Sequence, residues 1–401
     1  LLIPALVLST IIVVIYFKQD TIVQSQISKL NNNFQGKIAI GDVHIAPFTN
    51  FPDISLKVDD VTVHESKDAD LSAILDVADI YIGFNIWDLL LGDYDIHSLL
   101  IEDGFVDLVM HLDGKTNLEN ALATATEGES GSPINVHLHK IELKNLDIHQ
   151  REESTNLDIE TLIYWAKGGF NTGKEQIAAH IDSEFELNII NDGDTSYFKH
   201  KHFEFHTDLV FDETNGMLSF RPSGITMEHG DFQLEGSIDT KNDMTLDIAL
   251  KGTKPSFDMF IAFAPEELIP VLERYENAGK IYFNAILEGP TTNGRQPFID
   301  ATFGASEAYL ENSSVKKRID KMGFAGHFTN GEDRDFQTME FSMTDITATI
   351  EKGNFVGDIL VKNFEAPEIE MSIDADFDIP FIVGFLNLSE IEDAKGNFVA
   401  V

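Results

Sequence analysis

The stretch "EIEMSIDADFDIP", residues 368–380, decides the fold. Ile369, Met371, Ile373, Ala375, Phe377 and Ile379 alternate there with Glu370, Asp374, Asp376 and Asp378. A period of two belongs to a β-strand, whose successive side chains point to opposite faces. Apolar residues alternating with charged ones predict a strand of an antiparallel sheet, apolar on one face and wet on the other.

The same texture runs back through the chain. "KIAIGDVHI" (37–45) places Ile38, Ile40, Val43 and Ile45 around a Gly-Asp interruption. "DISLKVDDVTVHE" (53–65) gives Ile54, Leu56 and Val58, then Val61 and Val63. "LDVADIYIGF" (75–84) gives Leu75 and Val77, slips phase at Ala78-Asp79, and resumes with Ile80, Ile82 and Phe84. Such slips read as bulges or turns. "VDLVMHL" (106–112) gives Val106, Leu108, Met110 and Leu112. Later alternations include Phe203/Phe205, Leu218/Phe220, Ile281/Phe283 and Met339/Phe341/Met343.

Helical spacing is rarer. It is found over 85–92, 117–125, 257–278 and 380–394, and residues 20–33 read as a short helix. "ATEGESGSP" (125–133) has the composition of a loop. Gly36, Gly279 and Gly396 each precede an alternating strand and are expected as helix C-caps. Their recurrence suggests stacked supersecondary units, with the chain continuing past the last strand start.

The first residues differ from all of this. Leu1–Phe17 carry no charge and end in Tyr16-Phe17-Lys18. About 20 apolar residues span a bilayer, and an aromatic and a Lys suit its interface. The chain does not begin with Met, so the span is expected to extend upstream. A retained single-span anchor fits better than a cleaved signal peptide, whose apolar region is shorter and ends in small residues. The expected division is an anchor over 1–19, sheet units over 20–125, 126–256 and 257–376, and the start of another over 377–401.

Many strands each carry an apolar face, and few helices exist to cover them. A sandwich covers sheet with sheet, and a barrel closes on itself. A third solution is an elongated, curved antiparallel sheet whose apolar concave face stays open as a groove. The anchor and the repeats favour that third solution.

Composition narrows the function. The 401 residues carry 28 Lys and Arg against 68 Asp and Glu, a formal charge of −40. Phosphate backbones repel such a chain, so no nucleic acid is expected as partner. Anionic headgroups repel it too, and lipid contact should run through acyl chains. The absence of cysteine excludes disulfides, thiolate metal sites and cysteine catalysis.

Motifs add little chemistry. Gly114-Lys115-Thr116 resembles the close of a phosphate loop, but Val109 stands where the first glycine is required. Lys115 also occupies a position where a calcium loop needs an oxygen ligand. What fits is an Asp113-Gly114 turn followed by a Thr116/Glu119 capping box. His137/His139, His200/His202/His206 and Asp192/Asp194 are weak metal candidates, and residues on a wet strand face or in a turn are the simpler reading. Asp374, Asp376 and Asp378 read as the wet face of their strand. With no Gly-x-Ser-x-Gly elbow and no recognisable triad spacing, neither catalysis, a metal nor a cofactor is expected.

The first 125 residues resemble the AsmA-like family of Gram-negative envelope proteins. The resemblance rests on the apolar start, "GKIAIGDVHIAPFTNFPDISLKVDDVTV" (36–63) and "IYIGFNIWDLLLGDYDIHSLLIEDGFVDLVMHLDGKTNLENAL" (80–122), in that order. Leu118 stands where the family usually has Trp. "GKIYFNAILEGP" (279–290) looks like the family's later repeats. The resemblance implies a single-pass inner-membrane anchor with the bulk in the periplasm. It also implies similarity to repeating β-groove proteins (TamB, chorein-type) that carry phospholipid between membranes. The expected function is binding of phospholipid acyl chains in the groove and conduction of lipid between inner and outer membranes. The alternative is a non-enzymatic scaffold or assembly factor that pairs with envelope proteins. The candidate groove lining is the set of alternating residues Ile38, Ile40, Val43, Ile45, Leu56, Val58, Val106, Leu108, Met110 and Leu112, with Phe203, Phe205, Leu218, Phe220, Ile281, Phe283, Met339, Phe341, Met371 and Ile373.

Overall fold

Strands dominate a computed structural model of the chain, which describes residues 28, 31–46, 53–67, 73–85, 96–123, 138–154, 156–191, 194–195, 198–264, 269–292, 295–351, 353–388 and 395–400. It falls into two units, Leu1–Glu204 and Phe205–Val401. The division lies within the segment 126–256 that was expected as one repeat.

Unit 1 contains β1 (Lys37–Ala39), β2 (Val43–Ala46), β3 (Ile54–His64), β4 (Ala73–Phe84), β5 (Ile96–Met110), helix α1 (Asn117–Leu122), β6 (Lys140–Glu152), β7 (Leu157–Thr172), β8 (Gln176–Asn191) and β9 (Asp194–Thr195). β1 and β2 pair in turn with the two ends of β3. From β3 to β9 each strand pairs with the next. All these ladders are antiparallel except β5–β6, where Ser98 faces Lys140 and Met110 faces Glu152 in parallel. This corrects the expectation of antiparallel pairing throughout. Alternation fixes which face a side chain takes, not which way the strand runs. A parallel neighbour needs a crossover of a dozen or more residues, and the connection over 111–139, which carries α1, supplies it.

Unit 2 contains the rest of β10 (Lys201–Asp212), then β11 (Met217–Met227), β12 (Gly230–Asp239), β13 (Thr245–Gly252), helices α2 (Asp258–Ile261) and α3 (Ile269–Leu272), β14 (Tyr275–Gly289), β15 (Phe298–Asn312), β16 (Lys317–Thr329), β17 (Glu340–Ile350), β18 (Gly353–Lys362), β19 (Glu368–Asp378), helix α4 (Ile379–Phe385) and β20 (Asn397–Ala400). From β11 to β20 the ladders are antiparallel between successive strands.

The strands belong to one long, mostly antiparallel sheet, and within unit 1 the phase slips align into a crease. In unit 1 the residues left out of the ladders are Asp60, Ala78, Asp103, Asn145 and Tyr164, one on each strand from β3 to β7. Asp60, Asp103 and Asn145 have φ of 50°, 58° and 50°. Asp and Asn tolerate that left-handed region better than most side chains, and Asn145 Nδ2 donates to Asp103 Oδ1 at 2.9 Å. The register between β3 and β7 is unchanged across the crease because the strands slip in concert. β8 does not slip, and a one-residue bulge at Tyr164 absorbs the difference. Unit 2 also has positive φ at Glu307, Lys321 and Asp345, of 52°, 50° and 53°, but there the β14–β18 ladders shift register at the slips.

The helices are shorter than helical spacing suggests. Residues 257–278 do not form one helix. α2 and α3 are four residues each, and Tyr275–Ala278 already belong to β14. Pro265 and Pro270 interrupt that segment, and proline cannot donate in a helix interior. Gly279 is therefore mid-strand rather than a C-cap. It faces Ala308 so closely that a Cβ would collide with it. Gly36 is a bend, its N–H donating to Ala121 O at 2.9 Å. Residues 31–33 are helical; the remainder of 20–33 except Ser28, the Leu1–Phe17 span, and residues 86–92 and 389–394 lie outside the described residues. Among the described residues no helix is long and apolar enough to cross a membrane.

Candidate functional site

The alternating residues come together as rows that cross the strands of each unit on one face. In unit 1, Val43 faces Val58, Val58 faces Ile80, Ile80 faces Ile101 and Ile101 faces Leu143. A second row runs Ile45, Leu56, Ile82, Leu99 and Ile141, and a third Ile38, Val63, Leu75, Val106 and Ile148. The crease lets one face stay apolar on both its sides. Ile54, Leu56 and Val58 precede it on β3, and Val61 and Val63 follow.

The first strands bury this face most deeply. Val43, Leu56, Val58, Val61, Val77 and Leu146 form a core cluster, and Ile40, Ile45, Leu75, Ile101 and Leu143 pack against it. Toward the end of β5, Val106, Leu108 and Met110 are only half-buried. Phe203 stacks on Phe185 with ring centroids 5.1 Å apart, which places it on the same face. Leu112 is not a lining residue: it lies past the end of β5 in the turn and is 77% exposed. Among the described residues, the extensive strand–strand contacts of each unit are between hydrogen-bonded lateral neighbours.

In unit 2 one row runs Leu234, Leu250, Ala285, Ala301, Phe328, Phe341, Val361 and Ile369. Its neighbour runs Phe283, Phe303, Gly326, Met343, Ile359 and Met371. Gly326 has no side chain because the Phe303 ring lies over it. Exposure along these rows is uneven. Ile281 and Phe283 are each 7% exposed, while Ile369 and Met371 are 65% and 61% exposed. Phe205, Leu218, Phe220, Met339, Phe341 and Ile373 are half-buried, and Met339 precedes its strand rather than lying in it.

Spacing did not reveal what covers the middle of this face. The connection after β13 lays α2 across it. Phe260 meets Phe303 and Phe324 at 5.7 and 5.8 Å, and Phe263 meets Phe232 and Phe283 at 5.6 and 4.9 Å. α4 covers a second patch: Phe381 and Phe385 pack with Tyr275 and Ile350 among Leu310, Ile319, Phe355 and Phe377. Asn312, fully buried, holds α4 by donating to Phe385 O at 2.7 Å. A Phe at every third position of "FDMFIAF" (257–263) was the available signal.

The opposite face is charged. On unit 1 the Lys57 ammonium lies 2.8 Å from Asp59 Oδ1 and 2.7 Å from Asp79 Oδ1. These two carboxylates hold its pKa above the ordinary lysine range, Asp59 contributing most, and Lys57 in turn lowers that of Asp59. On the next strands Lys144 pairs with Glu102 at 2.6 Å. At the end of β5, His111 Nε2 is 3.2 Å from Glu65 Oε1 and Nδ1 is 3.3 Å from Glu153 Oε1. Burial works against its charge, but Glu153 and Glu65 together outweigh burial and raise its pKa.

The minor candidates resolve as structure. Lys115 N donates to Asp113 Oδ1 in the turn, and Thr116 and Glu119 make the reciprocal capping box of α1. His139 packs its ring edge on His97, which pairs with Asp53 at 2.7 Å. His200 pairs with Glu186 at 2.7 Å, and His202 lies 3.6 Å from Glu184. Among the described residues no three His, Asp or Glu are placed to hold a metal ion. His137 and Asp192 lie outside the described residues. Asp374, Asp376 and Asp378 lie on β19 on the face opposite Ile373, Ala375 and Phe377. Compared with known proteins, the chain matches no protein-family model and no curated protein in sequence.

Proposed function

We propose that the protein binds phospholipid acyl chains along the apolar faces of its sheets and conducts lipid between the inner and outer membranes of a Gram-negative envelope. In this reading Leu1–Phe17 anchor it in the inner membrane, the bulk lies in the periplasm, each apolar face lines a curved groove, and no catalytic step is involved. The carrying observation is the set of apolar rows that cross strand after strand yet stay half-exposed at Val106, Leu108 and Met110 and largely exposed at Ile369 and Met371. Each acyl methylene moved from water onto such a surface gains about 0.8 kcal/mol. The resemblance of the first 125 residues to the AsmA-like family supports the same reading. Native mass spectrometry of the detergent-purified protein is expected to find phospholipid bound. A lipid-free preparation that also fails to take up phospholipid from vesicles would sink the proposal.

A scaffold role is the second reading, and one observation favours it. Among the described residues β20 pairs with β19 over Ala375–Asp378, and Glu368–Asp374 bond to β18 alone. Free edges recruit strands. A stable protein partner that protects those amides from exchange, together with absent lipid uptake, would favour this reading.

A further inference from the structure

The segment from Thr253 to Ala264 occupies apolar surface that an acyl chain would otherwise cover. Phe260 and Phe263 sit on Phe283, Phe303 and Phe324, in the middle of rows whose far end, at Ile369 and Met371, is uncovered. Met259 and Ala262 are 1% and 0% exposed. Yet α2 is a single turn of four residues, far below the length at which a helix holds itself together. Its order comes from docking.

Polar contacts fix the first residues of the strap, and its aromatic run rests on apolar contact. Phe257 N donates to Asn277 Oδ1 at 2.9 Å, Thr253 N donates to Asp231 O at 2.9 Å, and Lys254 pairs with Asp231. Beyond the strap, His229 pairs with Glu273 at 2.7 Å. Pro255 and Pro265 bracket the aromatic run in sequence, and proline cannot donate in a helix interior. Replacing two Phe rings on this surface by acyl methylenes exchanges one apolar contact for another, and most of the buried area is kept.

We propose that this strap is a displaceable plug: an acyl chain and the rings of Phe260 and Phe263 compete for one stretch of the apolar face of unit 2. The inference rests on the lipid-binding reading above. It makes occupancy of the stretch around Phe283, Phe303 and Phe324 conditional on strap release, whereas the exposed Ile369 and Met371 and the half-exposed end of β5 in unit 1 need no such step.

The chain has no native cysteine, so a lock can be introduced cleanly. A Cβ built on Gly230 would lie 3.0 Å from that of Ala262 and 2.9 Å from the Phe232 ring, so a small local shift brings the pair to the roughly 3.5–4.5 Å of a disulfide. The full chain carrying Gly230→Cys and Ala262→Cys is photo-crosslinked with a diazirine-bearing fatty acid, reduced and oxidised, and the adducts are mapped by peptide mass spectrometry. Adducts on β14–β17 are expected in the reduced protein and should fall about tenfold, the equivalent of ~1.4 kcal/mol, when the disulfide forms. Adducts in unit 1 should not change. Independently, Phe260→Ala with Phe263→Ala should raise labelling of β14–β17, with circular dichroism confirming the sheet. Labelling of unit 2 that ignores both changes, or labelling confined to unit 1 throughout, overturns the plug and leaves the lipid reading standing. Adducts in neither unit overturn both.

Discussion

Asp59 and Asp79 are cross-strand partners, and like charges so placed repel unless a cation stands between them. Lys57 is that cation. Lys57→Met is expected to cost unit 1 about 1–2 kcal/mol, because it leaves two part-buried carboxylates facing each other; the urea midpoint reads the loss. The pH dependence has a definite sign. Lys57 lowers the pKa of Asp59, so the stability this pair contributes is present above the unfolded carboxylate value of about 4 and is lost as pH falls through the folded one. Wild type and variant should therefore converge in acid. His111 runs the other way. Its pKa is raised, so its contribution is full below the unfolded value of about 6.5 and fades as pH climbs through the folded one. His111→Gln should destabilise the end of β5 at acidic pH and change little at alkaline pH, as read by amide exchange of residues 107–123. The alternation that identifies a wet face does not say which charges meet, because pairing across strands depends on register.

At the scale of elements the crease is the informative feature. Asp103→Gly should be tolerated within about 1 kcal/mol, since glycine adopts positive φ freely. Deleting Asp103 should be severe, because one residue fewer turns either Leu99 and Ile101 or Val106 and Leu108 to the wet face. Thermal melts of the two variants separate these outcomes. Here the sequence was most legible. The slip at Ala78-Asp79, the Gly41-Asp42 interruption and the change of phase after Val58 all mark the crease. What could not be read was that the slips align, since alignment is a property of register. The helices were the least legible. A stretch such as 257–278 satisfies helical spacing, but its prolines and the ladder of β14 divide it. The capping box at Thr116 was legible because all its partners lie within four residues. The plug was not, because Phe260 and Phe303 meet only through the fold.

For the molecule as a whole, strong alternation made the β class plain, and charge set which partners were not expected. Strand direction was hidden, and the parallel β5–β6 ladder is where that matters most. It has a consequence for how the chain acquires its structure. The β2–β5 and β6–β9 ladders each join strands that follow one another along the chain, and such contacts form quickly. The β5–β6 seam closes only after 29 residues of intervening chain, from His111 to His139, have been brought round. Two meanders are therefore expected to gain protection first, and the seam last. Pulse-labelled amide exchange during refolding should show the amides that bond between β5 and β6 protected in a later phase than those between β3 and β4 or between β7 and β8. A single phase for all of them would show that the seam is no bottleneck. On a ribosome the same order would make the first meander a waiting platform, finished on one edge and obliged to stay soluble until its parallel neighbour emerges.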